Sequence, residues 1–235
     1  MGRIALVTFD LDNTLWDVDA VIRNAERVTR QWFDTHVPEL YARLTQENFF
    51  DIRRRVIAER PELAHDLSHI RQAVFERAIL EVGRDADEAQ TLAADAFGLF
   101  LHERHKIAFF DDALDVLERL SQRHQLGALT NGNADIVRLG LDRFFRFAFS
   151  AADVGAAKPA PQMFRAALTR ADVDEGRMIH IGDNPLDDIQ GAAELGIPTI
   201  WVNLDGRSTE SPPATRVVHR LKDIPNAIDE IESAT

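Results

Sequence analysis

At 235 residues the chain is long enough for one large domain or two modest ones around a buried core. A net charge of −12 leaves no basic surplus for a nucleic-acid partner, and no stretch reaches the roughly 18 apolar residues a membrane span needs. Cysteine is absent, which excludes disulfides, zinc thiolates and a thiol nucleophile. With no signal segment ahead of the first apolar run, and Leu6 where myristoylation needs Ser or Thr, a cytoplasmic protein is expected, a monomer or weak homodimer. Of its 27 Lys and Arg residues only Lys106, Lys158 and Lys222 are lysines, so each one raises the question of a site that wants a compact charge.

Ile4 to Phe9 is a short apolar run of the kind that forms a strand buried on both faces, and Asp10 to Asp17 follows as a polar turn. From there to about Lys106 the pattern is helical: Val74, Phe75, Ala78, Ile79 and Val82 recur at spacings of three and four, with Gly83 as a stop. Pro38 and Pro61 mark helix starts or turns, and Asp85 to Phe100 is an Ala-rich helix. Beyond Phe109 the rhythm alternates. A helix over 111–123, a strand over 126–129, a helix, a short strand over 147–149 and a helix over 161–171 follow in turn. A strand over 177–181, a helix over 186–195, strands over 198–202 and near Val217, and a helix over 223–231 complete it, with 207–215 as a surface loop. Such alternation predicts a parallel sheet covered on both faces, interrupted after its first strand by a helical insertion.

Ligands of open parallel sheets bind beyond the carboxyl ends of the strands. There the sequence places Asp10 and Asp12, then Thr130, Asn131 and Gly132, then Lys158, then Gly182, Asp183 and Asp188. Taken singly, each segment reads equally as an ordinary turn. Together they supply carboxylates that need a cation between them, a hydroxyl and amides that suit phosphate, and a compact positive charge. A sparse carboxylate set of this kind fits Mg2+.

In their order and spacing, Asp10-Leu-Asp-Asn-Thr-Leu, Leu129-Thr-Asn-Gly, Lys158-Pro and Gly182-Asp-Asn-Pro-Leu-Asp-Asp resemble the four motifs of the haloacid dehalogenase-like hydrolase superfamily. The resemblance implies an α/β fold: a Rossmann-like parallel-sheet core (1–16 and 108–235) with an inserted all-helical cap (17–107) of the first type. It implies a phosphatase in which Asp10 is the nucleophile and Asp12 the proton donor and base. Mg2+ would sit on Asp10, Asp183 and the Asp12 carbonyl, Thr130 and Lys158 would hold the phosphoryl oxygens, and Asp188 would position Lys158 or a metal-bound water. Asn131 would add a backbone contact to phosphate. The Thr130-Asn-Gly-Asn and His65-Asp66 segments are most similar to bacterial flavin mononucleotide phosphatases, so the expected partner is a small phosphorylated metabolite, flavin mononucleotide among the candidates. Trp16, Phe49 and Phe50 are candidates to stack on a planar leaving group, and His65, His69 and Arg71 to face it. Two other readings compete: a 2-haloacid dehalogenase, whose leaving halide needs no acid such as Asp12, and a phospho-receiver domain, which lacks a long helical insert.

Overall fold

The computed structural model describes residues 4–206 and 213–234, so most of the 207–215 loop lies outside the described residues. The chain divides into two compact units, Val18–Ile107 and the combination of Met1–Asp17 with Ala108–Thr235.

In the first unit lie α1 (Val18–His36), α2 (Glu39–Arg43), α3 (Gln46–Glu59), α4 (Leu67–Glu81) and α5 (Ala86–Arg104). Helix α1 buries Val21, Ala25, Thr29 and Phe33 at a strict spacing of four, a single stripe on one face. It packs on α5, whose matching stripe of Ala89, Ala93 and Ala96 allows close approach. The starts are chemically marked. Thr45 and Asn48 make a reciprocal capping box on α3, while Asp66 and Asp85 accept the backbone N–H groups of His69 and Glu88. Gly83, just beyond α4, takes φ +99°, a conformation suited to glycine at a helix stop.

The second unit is a six-stranded parallel sheet in the order β3-β2-β1-β4-β5-β6. Its strands are β1 (Leu6–Phe9), β2 (Gln125–Thr130), β3 (Phe145–Ser150), β4 (Met178–Gly182), β5 (Thr199–Val202) and β6 (Arg216–Val218). Around it run α6 (Ala113–Ser121), α7 (Ala151–Val154), α8 (Gln162–Ala171), α9 (Gly191–Ala193) and α10 (Ile224–Ser233). All four residues of β1 are buried, as the unbroken apolar run requires of a central strand. On one face Leu6 and Met178 join Leu129, Met163 and Phe164 of β2 and α8 in a common core. The order reverses at β1, which pairs with β2 on one side and β4 on the other; this switch point is where such sheets bind ligands.

One expected element is missing. Between β2 and β3 the described residues form turns instead of a helix: the Asp135 carboxylate caps the Val137 amide, and Gly140 at φ +66° ends the coil after one turn. Leu141, Phe144 and Phe145 are buried immediately afterwards, so the apolar residues that suggested a helix instead lead the chain into β3.

Candidate active site

The turn after β1 carries Asp10, whose backbone N–H donates to Ile181 O at 2.8 Å and so continues the β1–β4 ladder by one residue. Its carboxylate is buried, and Lys158 Nζ lies 2.8 Å from Oδ1. The same ammonium donates to Asp188 Oδ1 and to Leu129 O, both at 2.6 Å, so its three protons have three acceptors. Of the three lysines, Lys158 alone is buried; Lys106 lies at the surface beside Glu103, and Lys222 is exposed. A planar guanidinium cannot reproduce this convergent three-way contact, which explains a lysine in an arginine-rich chain. Burial works against the Lys158 charge, but Asp10 and Asp188 overcome it and hold the ammonium protonated well above the ordinary lysine range.

Asp188 reaches this point from a wide π-type turn, Pro185–Gln190, that opens the α9 segment. Besides Lys158 it accepts from the Asn184 backbone N–H, and its Oδ1 lies 3.2 Å from His180 Nε2. His180 is fully buried on β4, and its register partner on β1 is Thr8, whose Oγ1 lies 2.9 Å from Nδ1. Burial holds this imidazole below its usual pKa; Asp188 faces it at Nε2, and the Thr8 hydroxyl, which also donates to Ile179 O at 3.3 Å, faces it at Nδ1. Burial alone would raise the Asp188 pKa; Lys158 and His180 outweigh it and keep the carboxylate far below the usual range. Neither Thr8 nor His180 stands out in the sequence, because each reads as a filler of an apolar strand. Gly182 is the complement of this packing: a Cβ there would lie 2.3 Å from the Asp188 carboxyl group. Gly182→Ala is expected to displace Asp188, cost about 1–3 kcal/mol in urea unfolding and lower activity.

Asp183 approaches Asp10 from the end of β4. Thr14, four residues after Asp10, places Oγ1 3.2 Å from Asp10 Oδ2 and 3.4 Å from Asp183 Oδ1. One hydroxyl proton cannot serve both carboxylates at once, so the pair keeps acceptor capacity. Oxygens of Asp10, Asp183 and Asp188 lie within 4.8 Å of one another. Burial pushes the Asp10 pKa well up; Lys158 opposes this, while Asp188 and Asp183 add to it. A buried, acid-rich, all-oxygen donor set under such mutual repulsion fits a hard divalent cation. Trp201 donates its indole N–H to the Asp183 carbonyl at 2.9 Å, fixing the backbone at that residue.

Asp12 is turned differently. Its Oδ1 accepts the Trp16 indole N–H at 2.9 Å, and its carboxylate is not one of the three that cluster. This corrects the expectation for Trp16: the indole is fully buried, set edge-on against Phe109 with ring centroids 5.9 Å apart, and offers no face to a substrate. Thr130 is buried at the end of β2, where Oγ1 accepts from the Gly132 N–H at 2.9 Å and keeps its own proton to donate. The Asn131 side chain is a clamp. Its Oδ1 accepts from Lys158 N at 2.7 Å, and its Nδ2 donates to Lys158 O at 3.0 Å and Asp187 Oδ2 at 3.3 Å, tying three loops together. In the helical unit Phe49 stacks on Tyr41, Phe50 is exposed, His65 and His69 are half-buried, and Arg71 lies over the Phe100 ring while pairing with Glu26.

A switch-point carboxylate, a buried lysine bound to it and an acidic cluster at the next strand end define a hydrolase centre of the doubly wound type. The chain belongs to the haloacid dehalogenase-like hydrolase family, whose model it matches over residues 4–196. It is similar to the 5-amino-6-(5-phospho-D-ribitylamino)uracil phosphatase YigB of Escherichia coli, 33% identical over 202 residues that cover 86% of this chain and 84% of that protein. The phosphoserine phosphatase of Thermus thermophilus is 32% identical over 151 residues, 62% of this chain and 59% of that one. Among solved structures, a 2-haloacid dehalogenase from Pseudomonas syringae pv. Tomato DC3000 is 41% identical with a TM-score of 0.93, covering 97% of this chain and 99% of that one. Among the described residues no helix is long and apolar enough to cross a membrane.

Proposed function

We propose that the chain hydrolyses small phosphomonoesters in two steps through a phosphoryl group carried on Asp10. The Asp10 carboxylate attacks phosphorus as the bond to the leaving oxygen breaks, and Asp12 gives that oxygen a proton. In the second step Asp12 takes a proton from water as the water attacks the same phosphorus, releasing phosphate and restoring Asp10. Lys158, turning toward the phosphoryl group the proton it now gives to Asp10, and the Thr130 hydroxyl hold the phosphoryl oxygens, and Asn131 keeps the Lys158 backbone in place. Mg2+, held by Asp10, Asp183 and the Asp12 carbonyl, would offset charge on the phosphoryl group. The Val18–Ile107 unit is assigned as a cap that selects the leaving group.

The observation that carries this reading is the carboxylate cluster that includes Asp10 and Asp183, with a further acid, Asp12, held outside it on the same turn. Displacement of halide from carbon needs neither part: halide leaves without a proton, and no phosphoryl oxygens require a cation. The likeness to a 2-haloacid dehalogenase therefore supports the fold more than the chemistry. YigB acts on a phospho-D-ribityl compound, and flavin mononucleotide carries the same phosphorylated ribityl arm, which favours substrates of that type.

Phosphate release is expected from a metabolite panel containing flavin mononucleotide and other ribityl, sugar and nucleoside monophosphates with Mg2+, and no halide from 2-haloacids. Halide release without phosphate release would overturn the assignment. Metal binding is checked separately by thermal unfolding. Mg2+ at about a hundred times its Kd is expected to stabilise the protein by about 2.7 kcal/mol, and Asp183→Asn to remove most of that shift.

A further inference from the structure

A fully buried indole must find an acceptor for its N–H, and in Trp16 that acceptor is the carboxylate assigned above as proton donor. The geometry is built from several directions. Asn13, at φ +61°, reverses the chain, and its N–H donates to Trp16 O at 2.8 Å. Phe110 N donates to Leu15 O at 2.8 Å, Trp16 bridges to Phe109 along the backbone, and the two aromatic rings meet edge-to-face at 79°. The indole is thus fixed by packing and by backbone contacts that include a bridge to Asp12 itself, and the 2.9 Å bond extends that rigidity to the carboxyl group.

We propose that Trp16 is a positioning residue that fixes the rotamer of the Asp12 carboxyl group for proton transfer to the leaving oxygen. The inference rests on the phosphatase reading and adds a specificity consequence to it. Proton donation matters in proportion to the basicity of the departing oxygen. A nitrophenolate departs with little help, whereas an alkoxide leaves only as it is protonated. Trp16 therefore biases the enzyme toward alkyl phosphates, the class to which sugar and ribityl phosphates belong.

The test compares kcat/KM for p-nitrophenyl phosphate and glycerol 2-phosphate, since this quantity reports the phosphoryl-transfer step. Wild type is set beside Trp16→Phe and beside a protein carrying benzothienylalanine at position 16, which keeps the indole shape and replaces N–H by sulfur. In both variants the alkyl ester is expected to lose on the order of tenfold more than the nitrophenyl ester, a fraction of the effect a general acid supplies. Asp12→Asn should show the same selectivity more strongly. Equal losses on the two esters would mark a merely structural role, and an isostere that matches wild type would remove the hydrogen bond from the mechanism; either result overturns the inference. Wild-type protein that hydrolyses neither ester would instead remove the phosphatase reading, a separately visible outcome.

Discussion

Asp10→Asn is expected to abolish turnover, by at least about 10⁴-fold, while the protein stays folded. The substitution keeps the shape of the side chain and removes the attacking oxygen charge. Its effect on stability should run the other way. Burial, with Asp188 and Asp183 close by, raises the folded-state pKa of Asp10 above its unfolded value despite the opposing Lys158. A carboxyl group shifted in that direction costs stability once the pH exceeds the unfolded value, and a neutral amide escapes that cost. In metal-free protein at neutral pH the urea midpoint of the variant should therefore be no lower than that of wild type, with an unchanged m value. Acid-quenched reactions should retain phosphate on wild type and none on the variant. Residual activity near the wild-type level would remove Asp10 from the nucleophile role.

Lys158→Met is expected to be the most damaging single change to the site. It leaves two buried carboxylates, Asp10 and Asp188, facing one another without the ammonium that each now meets at 2.8 and 2.6 Å. Removing one partner of a buried ionic cluster costs about 3–5 kcal/mol, more than the Met side chain regains by packing. Activity should fall by on the order of 10³-fold as a donor to the phosphoryl oxygens is lost. Lys158→Arg separates the two effects: it keeps the charge and should recover part of the stability, yet the planar fork cannot make the three convergent bonds, so activity stays low. Full activity in the arginine variant would show that only the net charge matters there.

Much of this centre is legible in the sequence because its parts lie at strand ends, where a polar residue interrupts an apolar run. Asp10, Thr130 and Asp183 are found in this way, whereas Lys158 lies past β3 and the α7 turn that follows it; the structure brings Asp10, Lys158 and Asp188 into direct contact. The scarcity of lysine draws attention to Lys158 independently of any motif. What stays hidden depends on which strands are neighbours. Thr8 and His180 meet only because β1 lies beside β4, an adjacency that no local pattern encodes. For Asn131 the resemblance implies a backbone contact to phosphate; the use of its side chain, which spans to Lys158 and Asp187, is visible only once both loops are placed. Trp16 misleads in the opposite sense, since an aromatic in a polar turn suggests exposure, and the pairing of that turn with Phe109 buries it.

The central place of β1 also bears on how the molecule assembles. Asp10 at its end is joined to Lys158 across 148 residues, and Thr8 reaches Ile179 across 171. Closing such loops carries an entropic cost that is met before any of these contacts form, whereas the helices of the 18–107 segment bond within themselves. During synthesis the helical segment can therefore take shape while β1 waits unpaired, shielded by no neighbour until β2 and then β4 emerge. The carboxylate cluster is thus a late product of folding, and a ribosome-bound chain lacking β4 should hold helices but not the cluster of Asp10, Asp183 and Asp188.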